Sequence, residues 1–204
     1  MYLVKMSEIQ MVDLENFYRN VKLFIDLNHP LGQRMKPLLD EVVKRLPNEK
    51  QFQMNGRITF MTRTQAIEFW NILKPKVGYG PDMAPRGRDG NCTYSMSEKV
   101  ESCGFIITII VDNLNERSDD YIKGLFAHEI SEMSYIWGVF QSDKEKLLSL
   151  SPKARQVRMN QLTKQNAVPG TAEYEEHEDA VNNEARRLGF SKEIEALNAC
   201  LTNR

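Results

Sequence analysis

Histidine and cysteine are both scarce in this chain, and no apolar run approaches the length of a membrane span. Among 204 residues there are three cysteines, Cys92, Cys103 and Cys200, and no CxxC pair. So sparse and odd a set excludes a disulfide scaffold and suits reduced thiols in the cytoplasm. The longest apolar stretch, Phe105 to Val111, is interrupted by Thr108. A bilayer needs about 20 such residues, so no membrane association is expected. The opening MYLVKMSEIQ has an early acidic residue and no sustained apolar core, which does not read as a secretory signal. Charge of one sign is missing as well. Lys and Arg number 27 against 28 Asp and Glu, a formal net charge of -1. A dedicated nucleic-acid binder shows a net basic surface, so no nucleic-acid partner is expected. What is present suffices for a core: the hydrophobic fraction is 41% and the aromatic fraction 9%, which excludes global disorder. Any imidazole chemistry must come from His29, His128 and His177.

The apolar periodicity organises the chain into a single domain over 1–204, with no repeat or long linker. Leu14, Phe17, Val21, Phe24 and Ile25 fall at three- and four-residue steps, which predicts a helix over 13–27. Asn28-His29-Pro30 ends it, and a second helix follows over 32–45. Residues 1–50 thus read as a helical N-terminal lobe. Arg57 to Thr62 alternates polar and apolar side chains as a half-buried strand does. A helix over 64–73 follows, with Trp70 in the core, and then a Gly- and Pro-rich loop over 78–91. Strands are expected over 92–97 and 104–112, joined by a polar turn at 98–102; the second is rich in Ile and Val and suits the centre of a sheet. Ser118 caps a long helix that runs to about Phe140 and carries Trp137 inward, with Asp119 and Asp120 in its first turn. The mixed-charge segment 143–165 reads as surface helices broken at Ser151-Pro152. Pro169-Gly170-Thr171 opens another helix, which Gly189 closes, and a last helix spans 191–201.

The most specific local feature is Ala127-His128-Glu129-Ile130-Ser131-Glu132. His128 and Glu132 are four apart on a helix and project from one face, the spacing two ligands need to reach one metal ion. Glu129 lies about 100° round the helix, where it would activate water rather than bind the ion. The other histidine of interest opens a later helix, in Glu175-Glu176-His177-Glu178-Asp179. On that helix His177, Val181 and Glu184 share a face, and Glu184 stands among apolar neighbours there. Three protein ligands plus water is the pattern of a catalytic zinc site. His128, Glu132 and His177 supply two imidazoles and a carboxylate; the third position is open between His177 and Glu184, with Glu178 and Asp179 less favoured.

Two stretches carry a family resemblance. FIITIIVDNLNERSDDYIKGLFAHEISEM resembles the strand, loop and active-site helix of small gluzincin-type metallopeptidases. EHEDAVNNEARRLGF is similar to their second helix, which donates the third ligand. The resemblance covers about 105–190 and implies an α+β fold: a zincin-like core over 56–190, with a small sheet, an active-site helix and a third-ligand helix, and extra helices at the N-terminus. It implies Zn2+ as cofactor, His128 as first ligand and Glu129 as general base, with Glu132 standing where the family has its second histidine. The function it implies is metal-dependent hydrolysis of a peptide or protein substrate. The alternative is a catalytically inactive zincin-like protein, acting as an interaction module or keeping a structural metal.

The same residues have plainer readings. His128 and Glu132 suit a polar stripe, His177 a solvated first turn, Glu184 an ion pair with Arg187, and His29 a turn. Arg86 and Arg88 stand in a glycine-rich loop that carries no phosphate-binding motif.

Overall fold

Short runs of β-branched and aromatic residues build a sheet, and longer amphipathic runs pack against it. The computed structural model of the protein describes residues 14–47, 55–77, 89–96, 103–112, 114–164, 167–168 and 170–201. Helix α1 (Leu14–Asn20) leads directly into strand β1 (Val21–Phe24). After α2 (Pro30–Lys44) come β2 (Asn55–Met61), α3 (Arg63–Val77), β3 (Gly90–Met96) and β4 (Cys103–Ile110). A 3-10 turn (Leu114–Glu116) then precedes α4 (Asp119–Ser142), α5 (Lys144–Ser149), α6 (Pro152–Thr163), α7 (Ala172–Arg187) and α8 (Ser191–Leu201).

The strand order is β1-β2-β4-β3. The first three run parallel and β3 lies antiparallel along the edge. Register places Leu23, Ile58, Ile107 and Cys92 in one row across the sheet. All but Leu23 are fully buried, on the face that also carries Phe105 and Ile109. The chain is therefore α+β, as expected. Among the described residues no helix is long and apolar enough to cross a membrane.

One expectation needs correction. The helix predicted over 13–27 stops at Asn20, and Val21–Phe24 pairs with Gly56–Thr59 as an edge strand. Steps of three and four place Phe17, Val21 and Phe24 on a helical stripe, yet Val21 and Leu23 also alternate with Lys22 as a strand does. Parallel pairing to β2 decides between the two, because tertiary context overrides a short ambiguous period. Gly90 and Asn91, expected in the loop, belong to β3. The rest of that loop (78–88), the turn at 98–102, the Trp70 side chain and Pro169 lie outside the description.

Helix ends follow their capping residues. His29 is the N-cap of α2: its Nδ1 accepts from the Leu31 N–H at 3.2 Å, with Pro30 in the first turn. Ser118 Oγ accepts from the Tyr121 N–H at 3.2 Å and starts α4. Gly189, at φ 90°, closes α7 with the Gly189 N–H on Arg186 and the Phe190 N–H on Ala185, a left-handed turn that glycine adopts without strain. The segment 143–165 is less solvated than its charge suggests. Leu147, Arg155, Met159 and Thr163 are buried, and Arg155 donates to the carbonyls of Leu147 and Leu150.

Helix α4 is the centre of the molecule. It packs on β3, α2, α7 and α8, and 15 of its 24 residues are buried. Its N-terminus is tied down by Arg34 of α2, which donates to the carbonyls of Leu114, Asn115 and Arg117 and pairs with Asp119 at 2.7 Å. Phe126, Ile130, Met133 and Ile136 are its anchors, each worth about 1.5–3 kcal/mol when fully buried. A helix buried on most sides has no solvent face for its polar residues, so those within it need partners inside the protein.

Candidate functional site

Where α4 meets α7, six polar side chains are held away from solvent. His128, Glu129, Glu132, His177, Glu178 and Asn182 are each at most 8% exposed. The polar stripe of α4 therefore faces a neighbouring helix rather than water.

The contacts are reciprocal. His128 Nε2 of α4 lies 3.5 Å from Glu178 Oε2 of α7, and His177 Nε2 of α7 lies 3.2 Å from Glu132 Oε1 of α4. Each ring is held through its other nitrogen. His128 Nδ1 donates to Asn182 Oδ1 at 3.0 Å, and His177 Nδ1 donates to the Thr163 carbonyl at 2.7 Å. A carbonyl only accepts, so the proton of His177 resides on Nδ1 and Nε2 is turned to the carboxylate. Tyr135 packs edge-on against the His177 ring at 5.8 Å between centroids.

Electrostatics follow from burial and from these partners. Burial disfavours the imidazolium of His177. The hydrogen bond and charge of Glu132, the charge of Glu178 and the Thr163 carbonyl outweigh it and hold the pKa above the ordinary value. Cys92 of β3 faces the same region. Burial pushes its thiol well up, and the charges of Glu132 and Glu129 push it further. Cys92 is thus a neutral thiol, poorly suited to act as a nucleophile. Glu129 packs under the start of β3. A Cβ on Gly90 would come within 2.4 Å of Glu129 Oε1 and 2.8 Å of Leu125 Cδ1, so the close approach of strand and carboxylate depends on glycine there.

Of the residues singled out in the sequence, the structure brings His128, Glu132 and His177 together, with Glu129 one residue along the same helix. Glu184 goes elsewhere: it accepts from Ser134 Oγ at 2.6 Å and pairs with Arg187 at 2.7 Å. The i,i+3 pair with Arg187 is the plainer reading of that residue. Asp179 is exposed, whereas Glu178, ranked below His177 and Glu184 in the sequence, lies against His128. Asn182 and Thr163 were not anticipated. Asn182 follows Glu178 by one helical turn, a spacing that was available to find it; a backbone carbonyl such as that of Thr163 leaves no mark in a sequence.

Among the described residues, no group of three or more His, Cys, Asp or Glu converges on one point in the manner of an assembled metal site. The donor set itself suits a cation of the zinc kind: imidazole nitrogens and carboxylate oxygens, buried, with the rings pre-oriented by second hydrogen bonds. Comparison with known proteins adds no family to this description, since no family model, curated protein or solved structure matches the chain.

Proposed function

We propose that the protein is a metal-dependent hydrolase acting on a peptide or protein substrate, with its centre in the seam between α4 and α7. One observation carries the reading. Both imidazoles are tied back through Nδ1, to Asn182 and to Thr163, and present Nε2 to carboxylates. A second-nitrogen hydrogen bond that fixes tautomer and ring orientation is what metal-binding histidines typically have. In this reading His128, Glu132 and His177 hold Zn2+, and Glu178 is a further carboxylate beside His128. Such a cation, when bound, polarises a carbonyl and makes water acidic enough to attack it near neutral pH.

The remaining work falls to this chain's own groups. Glu129 accepts the proton of the attacking water and returns it to the leaving amine, as a buried carboxylate next to the ligand helix face can. Gly90 keeps β3 close enough to hold the Glu129 carboxylate in place. Strand β3 is the edge of the sheet among the described residues. It offers main-chain groups on which an extended peptide would pair. Thiols such as those of Cys92 and Cys200 suit the cytoplasm.

Elemental analysis of protein purified without chelator, paired with hydrolysis of unfolded casein, tests the reading. Wild type and Glu129→Gln should both carry stoichiometric zinc, and only wild type should cleave. Wild type that takes up no transition metal, even with zinc added, ends the proposal.

The closed His177–Glu132 contact favours a second reading. In it, the two His–Glu pairs are a polar seam that locks α7 to α4 in a catalytically silent interaction domain. Zinc would then neither bind nor stabilise the fold.

A further inference from the structure

Helix α6 ends in a strained turn, and the strain has a use. Lys164 sits at φ 55°, ψ 17°, and among the described residues it is the one non-glycine with a positive φ. A side chain with a Cβ is disfavoured there, and strain of this kind collects at functional sites. If the helix ran on, the Ala167 N–H would bond to the Thr163 carbonyl four residues back. It bonds instead to the Lys164 carbonyl, at 2.9 Å. The Thr163 carbonyl is thereby released from the helix ladder, and it accepts from His177 Nδ1 at 2.7 Å. The Thr163 hydroxyl stays within α6, donating to the Met159 carbonyl at 2.9 Å. The Lys164 ammonium pairs with Glu176, the residue before His177, which ties this helix end to α7.

We infer that Lys164 is a positioning residue for His177. Its left-handed turn diverts the Ala167 N–H and delivers the Thr163 carbonyl to Nδ1, so that Nε2 is the atom left facing Glu132. A buried carbonyl needs a donor, and the left-handed cap at Lys164 ends the helix where the Thr163 carbonyl takes His177 as that donor. That Nε2 serves a cation rests on the hydrolase reading above; the positioning of the ring does not.

The test uses metal-free, 15N-labelled full-length protein. Nδ1 of His177 bears a proton in both charge states, so an exchange-protected Nδ1–H resonance reports the contact whether or not the ring is charged. Lys164→Gly and Lys164→Asn tolerate the left-handed turn; Lys164→Val, which is β-branched, does not. Wild type, the Gly variant and the Asn variant should keep the protected His177 signal. The Val variant should exchange about tenfold faster or more at that position, while the His128 Nδ1–H, held by Asn182, stays protected as an internal check on folding. Wild-type protection in the Val variant overturns the inference, as does loss of the His177 signal in the Gly and Asn variants with His128 unchanged. Zinc affinity, read by competition with a chromophoric chelator, should fall about tenfold or more in the Val variant. If wild type binds no zinc, the hydrolase reading fails and the Nδ1–H comparison still decides the role of Lys164.

Discussion

His177 Nε2 and Glu132 Oε1 face each other at 3.2 Å across the seam between α7 and α4, while the opposite nitrogen of the ring donates to Thr163 at 2.7 Å. With Nδ1 already protonated, the short Nε2–carboxylate contact requires a positive charge between its partners: a shared proton or a cation. The raised pKa of His177 is the proton's answer to that requirement. A divalent ion would displace the proton, because ligating imidazole must give up its Nε2 hydrogen.

Zinc should therefore raise the unfolding temperature of the protein. At a free concentration one hundredfold above its dissociation constant, the native state gains about 2.7 kcal/mol. Differential scanning fluorimetry reads the shift. Glu132→Ala and His128→Ala should each abolish it, and Mg2+, which prefers oxygen ligands and retains its water, should produce little. An equal shift with zinc in the Glu132 variant would remove that residue from the donor set.

Two glycines should respond in opposite directions to alanine. At Gly90 the added methyl would meet Glu129 Oε1 at 2.4 Å and Leu125 Cδ1 at 2.8 Å. Such overpacking costs about 1–3 kcal/mol and displaces the carboxylate. At Gly138, in α4, nothing lies within 4 Å of the added methyl, and alanine should stabilise by about 0.5–1 kcal/mol through helix propensity alone. Urea unfolding of Gly90→Ala and Gly138→Ala measures both signs.

Asp89, at the entry to β3, is 1% exposed and accepts from the Tyr121 hydroxyl at 2.8 Å. Arg63 and Arg117 approach the same carboxylate at 3.8 and 4.0 Å. Tyr121→Phe keeps the ring under the Arg117 guanidinium (4.9 Å to the centroid) but removes the hydroxyl donor from a buried charge. A loss of about 1–3 kcal/mol is expected. Urea denaturation of the variant should show an earlier midpoint with an unchanged slope.

Acid should weaken the junction of α2 and α8. Burial raises the Glu193 carboxyl, but the hydrogen bond from Arg45, the Glu193 backbone N–H, and the charges of Arg45 and Lys123 more than offset that. Its pKa lies below the ordinary 4.5. A depressed folded-state value means the contribution is present above the unfolded pKa and is lost as pH falls through the folded one. The stability difference between wild type and Glu193→Gln should be largest at neutral pH and shrink below about pH 4.5. A difference that grows on acidification would reverse the assignment. Arg45 also donates to the Gly189 carbonyl and lies over the Phe190 ring at 4.5 Å, so it is the better residue to leave in place.

Local signals were most legible where they are strong by themselves. Ser118 and Gly189 mark helix ends because a cap needs a particular side chain or a missing one. The pairing of the HExxE helix with the helix of His177 was legible too, because spacings of four and seven put those residues on single faces. The strand Val21–Phe24 was not, since four residues are too few to separate a period of two from one of 3.6. Glu178 was ranked too low for a related reason: on α7 the residues at 177 and 178 both reach α4, and which carboxylate meets His128 depends on how the two helices are rotated against each other.

What the sequence by itself determined is the set of short-range choices: where helices begin and end, which strand is apolar enough to be central, and which few imidazoles and carboxylates ride on α4 and α7. Those depend on residues within a turn or two of one another. The tertiary structure alone decided the rest. It sent Glu184 to Ser134, brought Glu178 and Asn182 to His128, and turned the Thr163 carbonyl onto His177. Each of these is a contact between groups 14 to 54 positions apart, and one uses a backbone atom of a kind that every residue shares. Only the packing of buried helices against one sheet chooses among such partners.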